Sequence, residues 1–316
     1  MANQNLTSDD GAWERAAIEK LLLANIRERR AVRRWRMVKS LLWLILIGAI
    51  AWALLADERF NRKPAGPHTA MVSIKGEIGG DTTSSADKVL PAMRDALEDD
   101  STKALVLLID SPGGSPVHAG LINDEIVRLK KLHKKPIYAV VEETCASAAY
   151  YIASAADKIY VDKASIVGSI GVLMDGFGFT GTMEKLGIER RLLTAGQNKG
   201  MLDPFSPMTD TQRQYAQTLL DQTYQQFIDA VKKGRGNRLK ESTELFSGLF
   251  WTGAQAVDLG LADELGSLDS VAREVVKAAE VVDYTNRDNL AERMARRFGA
   301  ALGQGAMSML LKVRIM

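Results

Sequence analysis

Residues 104–109 read ALVLLI, six apolar positions without a polar interruption, and a turn follows at once, Asp110-Ser111-Pro112-Gly113-Gly114. A strand wetted on one face alternates apolar and polar residues, whereas one covered on both faces does not. This run therefore requires packed layers on two sides. Shorter apolar runs at 71–74, 137–141, 158–161 and 191–193 read as further strands. Between the runs 104–109 and 137–141, residues 116–132 place Ala119, Ile122, Ile126 and Leu129 on one helical stripe, with Ser115 as N-cap and Pro116 at the first helical position. Parallel neighbours need a crossover, and a helix supplies it, so the alternation predicts an α/β fold with a mainly parallel sheet. Residues 209–240 read as one long helix whose Tyr215, Leu219, Tyr224, Phe227 and Val231 pack on the core or on another subunit.

Ahead of these elements, residues 41–56 (LLWLILIGAIAWALLA) carry no charge. The run is a little under the roughly 20 residues that span a bilayer and extends through Ser40 and Val38, so 40–56 reads as a transmembrane helix. A cleaved secretory signal is the competing reading, with Ala51-Trp52-Ala53 as its small-x-small site. The long preceding segment, with Asp9, Asp10, Glu14, Glu19 and Glu28, argues against it. Arg27, Arg29, Arg30, Arg33, Arg34, Arg36 and Lys39 crowd the start of the run. The positive-inside rule then places the N-terminus in the cytoplasm and the rest of the chain in the periplasm or outside. The balance of 41 basic and 39 acidic residues argues against nucleic acid as a partner. The expected organisation is a basic cytoplasmic segment (1–39), the anchor (40–56), a linker (57–70), an α/β domain (71–282) and an amphipathic tail (283–316) with Leu290, Met294 and Phe298 on one stripe.

Parallel sheets deliver chemistry at the carboxyl ends of their strands, which points to two turns. In the first, Gly113 and Gly114 permit positive φ and turn N–H groups outward before the next helix, as an oxyanion requires. A plain turn fits the same letters. In the second, Ser147 lies between a strand and a small-residue helix, with the N–H of Ala148 beside it. A serine there is either a nucleophile or a helix N-cap. Of the three histidines, His68 lies in the linker, His133 in a basic surface run and His118 near the glycine turn, so no Ser-His pairing stands out. A lysine replaces histidine as base when burial lowers its pKa from about 10.4 towards neutrality. The residues alone do not choose among the lysines.

Five blocks, LIDSPGGS (108–115), CASAAYYIASAADKIY (145–160), IVGSIGVL (166–173), AGQNKGMLDPF (195–205) and FWTGAQAVDLGLADELG (250–266), together resemble the short form of the signal peptide peptidase A family, in its order and at its spacing. The resemblance implies Ser147 as nucleophile and Lys199 as general base, oxyanion donation by Gly114 together with Ala148, and Ser169 as a hydroxyl that supports the lysine. It also implies a fold like that of Clp protease and crotonase, assembly of identical chains into a ring or dome, and remnant signal peptides or other apolar segments as substrates. It implies neither cofactor nor metal. The family's serine is commonly followed by two glycines; Ala148 and Ala149 keep the N–H donor but fill space. Burial of Lys199 beside Met201, Leu202 and Phe205 is the matching structural expectation. The rival readings are a crotonase-like acyl-coenzyme A enzyme and a non-catalytic membrane scaffold of the same fold.

Overall fold

The structure is a computed structural model and describes residues 19–20, 29, 33–48, 66–240, 242 and 244–286. It divides into two units, 1–63 and 64–316. In the first, residues 33–48 are helical with exposed side chains, and the Lys39 ammonium lies 5.8 Å from the Trp35 ring centre. Residues 49–56 of the expected anchor and the tail from 287 onward lie outside the described residues. Among the described residues, no helix is long and apolar enough to cross a membrane.

The second unit is built on an eight-stranded sheet: β1 (His68–Lys75), β2 (Thr102–Ser111), β3 (Ile137–Ala146), β4 (Lys158–Val161), β5 (Ile166–Gly168), β6 (Phe250–Thr252), β7 (Glu264–Leu265) and β8 (Val281–Asp283). The main order is β6-β5-β3-β2-β1-β8, and β4 joins β3 to β7. Every pairing is parallel except β5 with β6. The long strand β3 pairs with β4 through Tyr138–Val140 and then with β5 through Thr144–Ala146, so the sheet forks along it.

As its unbroken apolar run requires, β2 is covered on both faces. On one, Leu105, Leu107 and Ile109 pack with residues of helix α1 (Ala86–Glu98) such as Val89 and Met93, and of α2 (Pro116–His133) such as Ile122 and Ile126. On the other, Val106 and Leu108 join Val140, Tyr160 and Val271, backed by Leu268 of the short helix Leu268–Ser270 and its π-helical continuation Val271–Val276. Each fully buried aliphatic side chain contributes about 1.5–3 kcal/mol. Ser115 caps α2 as expected, its hydroxyl accepting from His118 N.

Three expectations need correction. Strand β1 starts at His68, which is fully buried, stacks on Tyr284 and bonds its hydroxyl at 3.0 Å, so this histidine belongs to the sheet and not to the linker. Residues 191–193 form no strand: their apolar letters belong to an exposed excursion, where no neighbouring strand offers a ladder. The long helix, Asp210–Arg235, ends five residues early at Gly236, and only Phe227, Val231 and Arg235 of it are buried. Tyr215 and Leu219 face outward.

Candidate active site

The carboxyl ends of β2 and β3 bring the two chemical turns together. After β2 the chain passes through Gly113 (φ +116°) and Gly114 (φ +144°), conformations that side chains disfavour. The geometry requires both glycines. A Cβ on Gly114 would stand 2.2 Å from the Ile78 carbonyl oxygen, and one on Gly113 would stand 2.7 Å from Ser147 Cβ. The space where Gly113 lacks a side chain is thus the space Ser147 fills.

Ser147 joins β3 to the short helix Ala148–Ala153 with φ +53° and ψ −124°, a backbone that costs a non-glycine residue on the order of 1–3 kcal/mol. Two hydrogen bonds hold it there: Ser147 N donates to Gly168 O at 2.9 Å, and Tyr151 N donates to Ser147 O at 3.0 Å. Although Ser147 occupies the N-cap position, its hydroxyl makes no capping bond. The capping role is therefore not filled by this side chain.

Two N–H groups on the turns around Ser147 lack a backbone acceptor among the described residues. Ile78 N donates to Gly113 O and Ser115 N donates to Ile78 O, a parallel bridge that turns Gly114's own N–H away from Ile78. The Ala148 N–H lies in the first helical turn, where no intrahelical acceptor exists. Neither group is bonded among the described residues. Ser169 follows Gly168 directly, also at positive φ (+52°), with its N–H bonded to Leu249 O at 2.7 Å. Trp251 packs where a Gly168 side chain would be, at 2.7 Å from the position of its Cβ.

Lys199 is placed differently. It lies in a tight turn, its N–H bonded to Gly196 O, on the excursion that leaves the sheet after Gly171. Lys199 is exposed, as are Leu202 and Phe205, and Met201 is only half-buried, so the expected apolar burial of the lysine is absent from the single chain. Its ammonium makes no hydrogen bond to Ser147 or Ser169 among the described residues. The reason is physical: the excursion is stitched to itself, by Phe179 stacked on Phe205 (5.4 Å), Arg190 over the Phe205 ring (5.5 Å) and Arg190 paired with Asp203 (3.2 Å), and not to the sheet. Large apolar side chains stand out along it, with Leu173 and Phe177 each 80% and Leu193 96% exposed.

Cys145, two residues before the serine, is fully buried, and burial pushes its thiol well above the usual range, away from the reactive thiolate. Sequence reasoning missed Gly113's part in admitting Ser147 and Ile78's part in aiming Gly114. The paired glycines were the only available signal.

Comparisons with known proteins bear on the family. The profile described as peptidase family S49 matches residues 130–282. A Synechocystis protein named "putative protease" is 31% identical over 199 residues, 63% of this chain and 69% of its own length. An Enterococcus faecium protein named "putative signal peptide peptidase SppA" is 33% identical over 202 residues, 62% of this chain and 58% of its own. A Brucella abortus protein named Na(+)/H(+) antiporter NhaA is 44% identical over 179 residues, 57% of this chain but 24% of its own. The chain thus spans about a quarter of that relative, and the antiporter name describes the whole of it. With its α/β architecture and mainly parallel sheet, the chain belongs to peptidase family S49, the signal peptide peptidase A family of serine proteases.

Proposed function

We propose that this chain is a membrane-anchored serine endopeptidase in which Ser147 attacks the peptide carbonyl, Lys199 takes its proton, and the Gly114 and Ala148 N–H groups receive the oxyanion. One observation carries the reading: Ser147 is held in a strained backbone against the vacancy at Gly113, its hydroxyl uncommitted, with unpaired N–H groups on both flanking turns. Strain at a nucleophile and preorganised donors are what acyl transfer needs. The neutral lysine removes the serine proton as the tetrahedral intermediate forms, returns it to the leaving amine, and then activates the water that releases the acyl-enzyme. Ser169, beside Ser147 on β5's end, orients the ammonium.

A lysine acts as base only when neutral, and solvent favours the charged form. In this reading identical chains assemble through the apolar excursion, covering Leu173, Phe177 and Leu193 and removing water from around Lys199. The run 41–56 anchors the chain in the inner membrane with its N-terminus in the cytoplasm and the catalytic unit outside. Its substrates are then remnant signal peptides and other apolar segments that collect at a bilayer. The test is labelling of the purified full chain with a fluorophosphonate, followed by peptide mass mapping. Modification at Ser147 that is lost in Ser147→Ala supports the reading, and labelling elsewhere or none overturns it.

A further inference from the structure

We infer that Asp110 and Ser111, adjacent at the end of β2, are positioning residues that set the nucleophile turn and the oxyanion turn relative to each other. The inference rests on the reading of Ser147 and Gly114 given above.

Strands β2 and β3 run in register from Leu105 opposite Ile137 to Ile109 opposite Val141, and then slip, so that Ser111 faces Cys145. Across the slip β2 advances by two residues and β3 by four. Such a bulge removes ladder bonds from the longer side. The side chain of Asp110 replaces one of them, its Oδ1 accepting from Thr144 N at 3.2 Å. Thr144 then re-enters regular pairing with Ile166 of β5, and the strand arrives at Ser147 three residues later. Asp110 therefore holds β3 at the point where it bends towards the serine.

Ser111 points the other way along the strand and is fully buried. Its hydroxyl accepts from Gly113 N at 3.2 Å, two residues on. That bond occupies the Gly113 N–H and leaves Gly114 as the one glycine of the turn with a free donor. The outer side of the turn is fixed independently, by Gly76 N donating to Asp110 O and by the Ile78 bridge. One peptide unit thus carries both restraints. A displacement of it moves the donor and the hydroxyl apart, and a shift of an ångström in a preorganised site costs about a hundredfold in rate.

The experiment measures kcat and KM of the full chain on an apolar peptide, with the rate of Ser147 phosphonylation, for Asp110→Ala, Asp110→Asn and Ser111→Ala. Asparagine keeps the Oδ1 acceptor. Asp110→Ala and Ser111→Ala are expected to lower kcat and the labelling rate by about tenfold to a hundredfold with KM within about twofold. Asp110→Asn is expected to restore both. Wild-type kcat and labelling in Ser111→Ala, or an Asp110→Asn protein that folds yet is as slow as the alanine variant, would overturn the positioning role while wild-type labelling at Ser147 upheld the nucleophile. Absence of wild-type labelling would instead overturn the nucleophile reading itself. Should Asp110→Ala not fold, judged by circular dichroism, the Asn and Ser111→Ala arms decide alone.

Discussion

Between Gly113 and Ser147 there is no room for one methyl group, whereas Leu193 on the excursion is almost wholly in solvent. The first region is fixed by strand register, by backbone bonds to Gly168 and Ile78, and by a core that continues beneath it. The second is fixed within itself, by the side chains of Phe179, Arg190, Asp203 and Phe205 and by backbone bonds such as Phe179 N to Pro204 O. On the function proposed above, the contrast means that the half of the site bearing Ser147 is complete within one chain, while the half bearing Lys199 awaits assembly.

The hardest blow to either half is removal of its reactive group. Ser147→Ala and Lys199→Ala are each expected to reduce peptidase turnover by about ten-thousandfold or more, because members of such a unit fail together. Lys199 is exposed, so the folded single chain should lose under about 0.5 kcal/mol of stability in the second variant. Near-normal turnover by Lys199→Ala at neutral pH would detach the excursion from catalysis.

Gly113→Ala tests the tight half without touching either reactive group. The added carbon meets Ser147 Cβ at 2.7 Å. It should cost about a hundredfold in kcat/KM, with about 1–3 kcal/mol of stability from overpacking. Unchanged kinetics would mean that Ser147 does not need its observed place.

The loose half is probed by Phe177→Glu and Leu193→Glu, which bring charge to side chains that stand in water in the single chain. Sedimentation should show the assembly dissociating and activity falling by about tenfold or more, while the fold of each chain persists. An unaltered sedimentation profile would show that this surface is not the interface.

A smaller, pH-dependent effect marks the scaffold behind the tight half. Glu125 on α2 is nearly buried, and hydrogen bonds from Arg128, then the Arg94 guanidinium, hold its carboxyl down at about 2 from an ordinary 4.5, against the opposing effect of burial. A depressed folded-state pKa gives stability that is present above 4.5 and lost as pH falls through about 2. Both arginines are about half exposed, so the contribution at pH 7 is reduced to about 1–2 kcal/mol. Urea titrations should show Glu125→Gln less stable than the parent by that amount at pH 7, and the gap closing on acidification below pH 4. A gap that persists unchanged in acid would refute the ion pair as its source.

What the sequence made legible follows the same division. The run 104–109 demanded two covering layers, and Ile122, Ile126 and Leu129 marked one of them, because burial imprints its period on the residues that undergo it. Gly114, Ser147 and Ala148 lie in the turns after buried strands to which the sequence points, while the roles proposed for them come from the family resemblance. Residues 191–193 misled because their apolar letters do not say whether a neighbouring strand offers a ladder. His68 was unreadable since its partner Tyr284 lies 216 residues away. The positions of Asp110 and Ser111 depend on a register slip that leaves no mark in the letters.

The edge strand β8 also governs how the sheet comes into being. β1 is the earliest strand of the sheet and β8 the latest, yet they are direct neighbours, locked by His68, Thr102 and Tyr284. A chain emerging from its N-terminal end must hold β1's outer edge unpaired until Val281–Asp283 arrives, and closing so long a loop is slow. During that interval the bare edge is a template for strands of other chains. Synthesis interrupted before Val281 would therefore yield a sheet complete in its centre and adhesive at its margin, so that the last few residues of the domain act as the seal on its solubility.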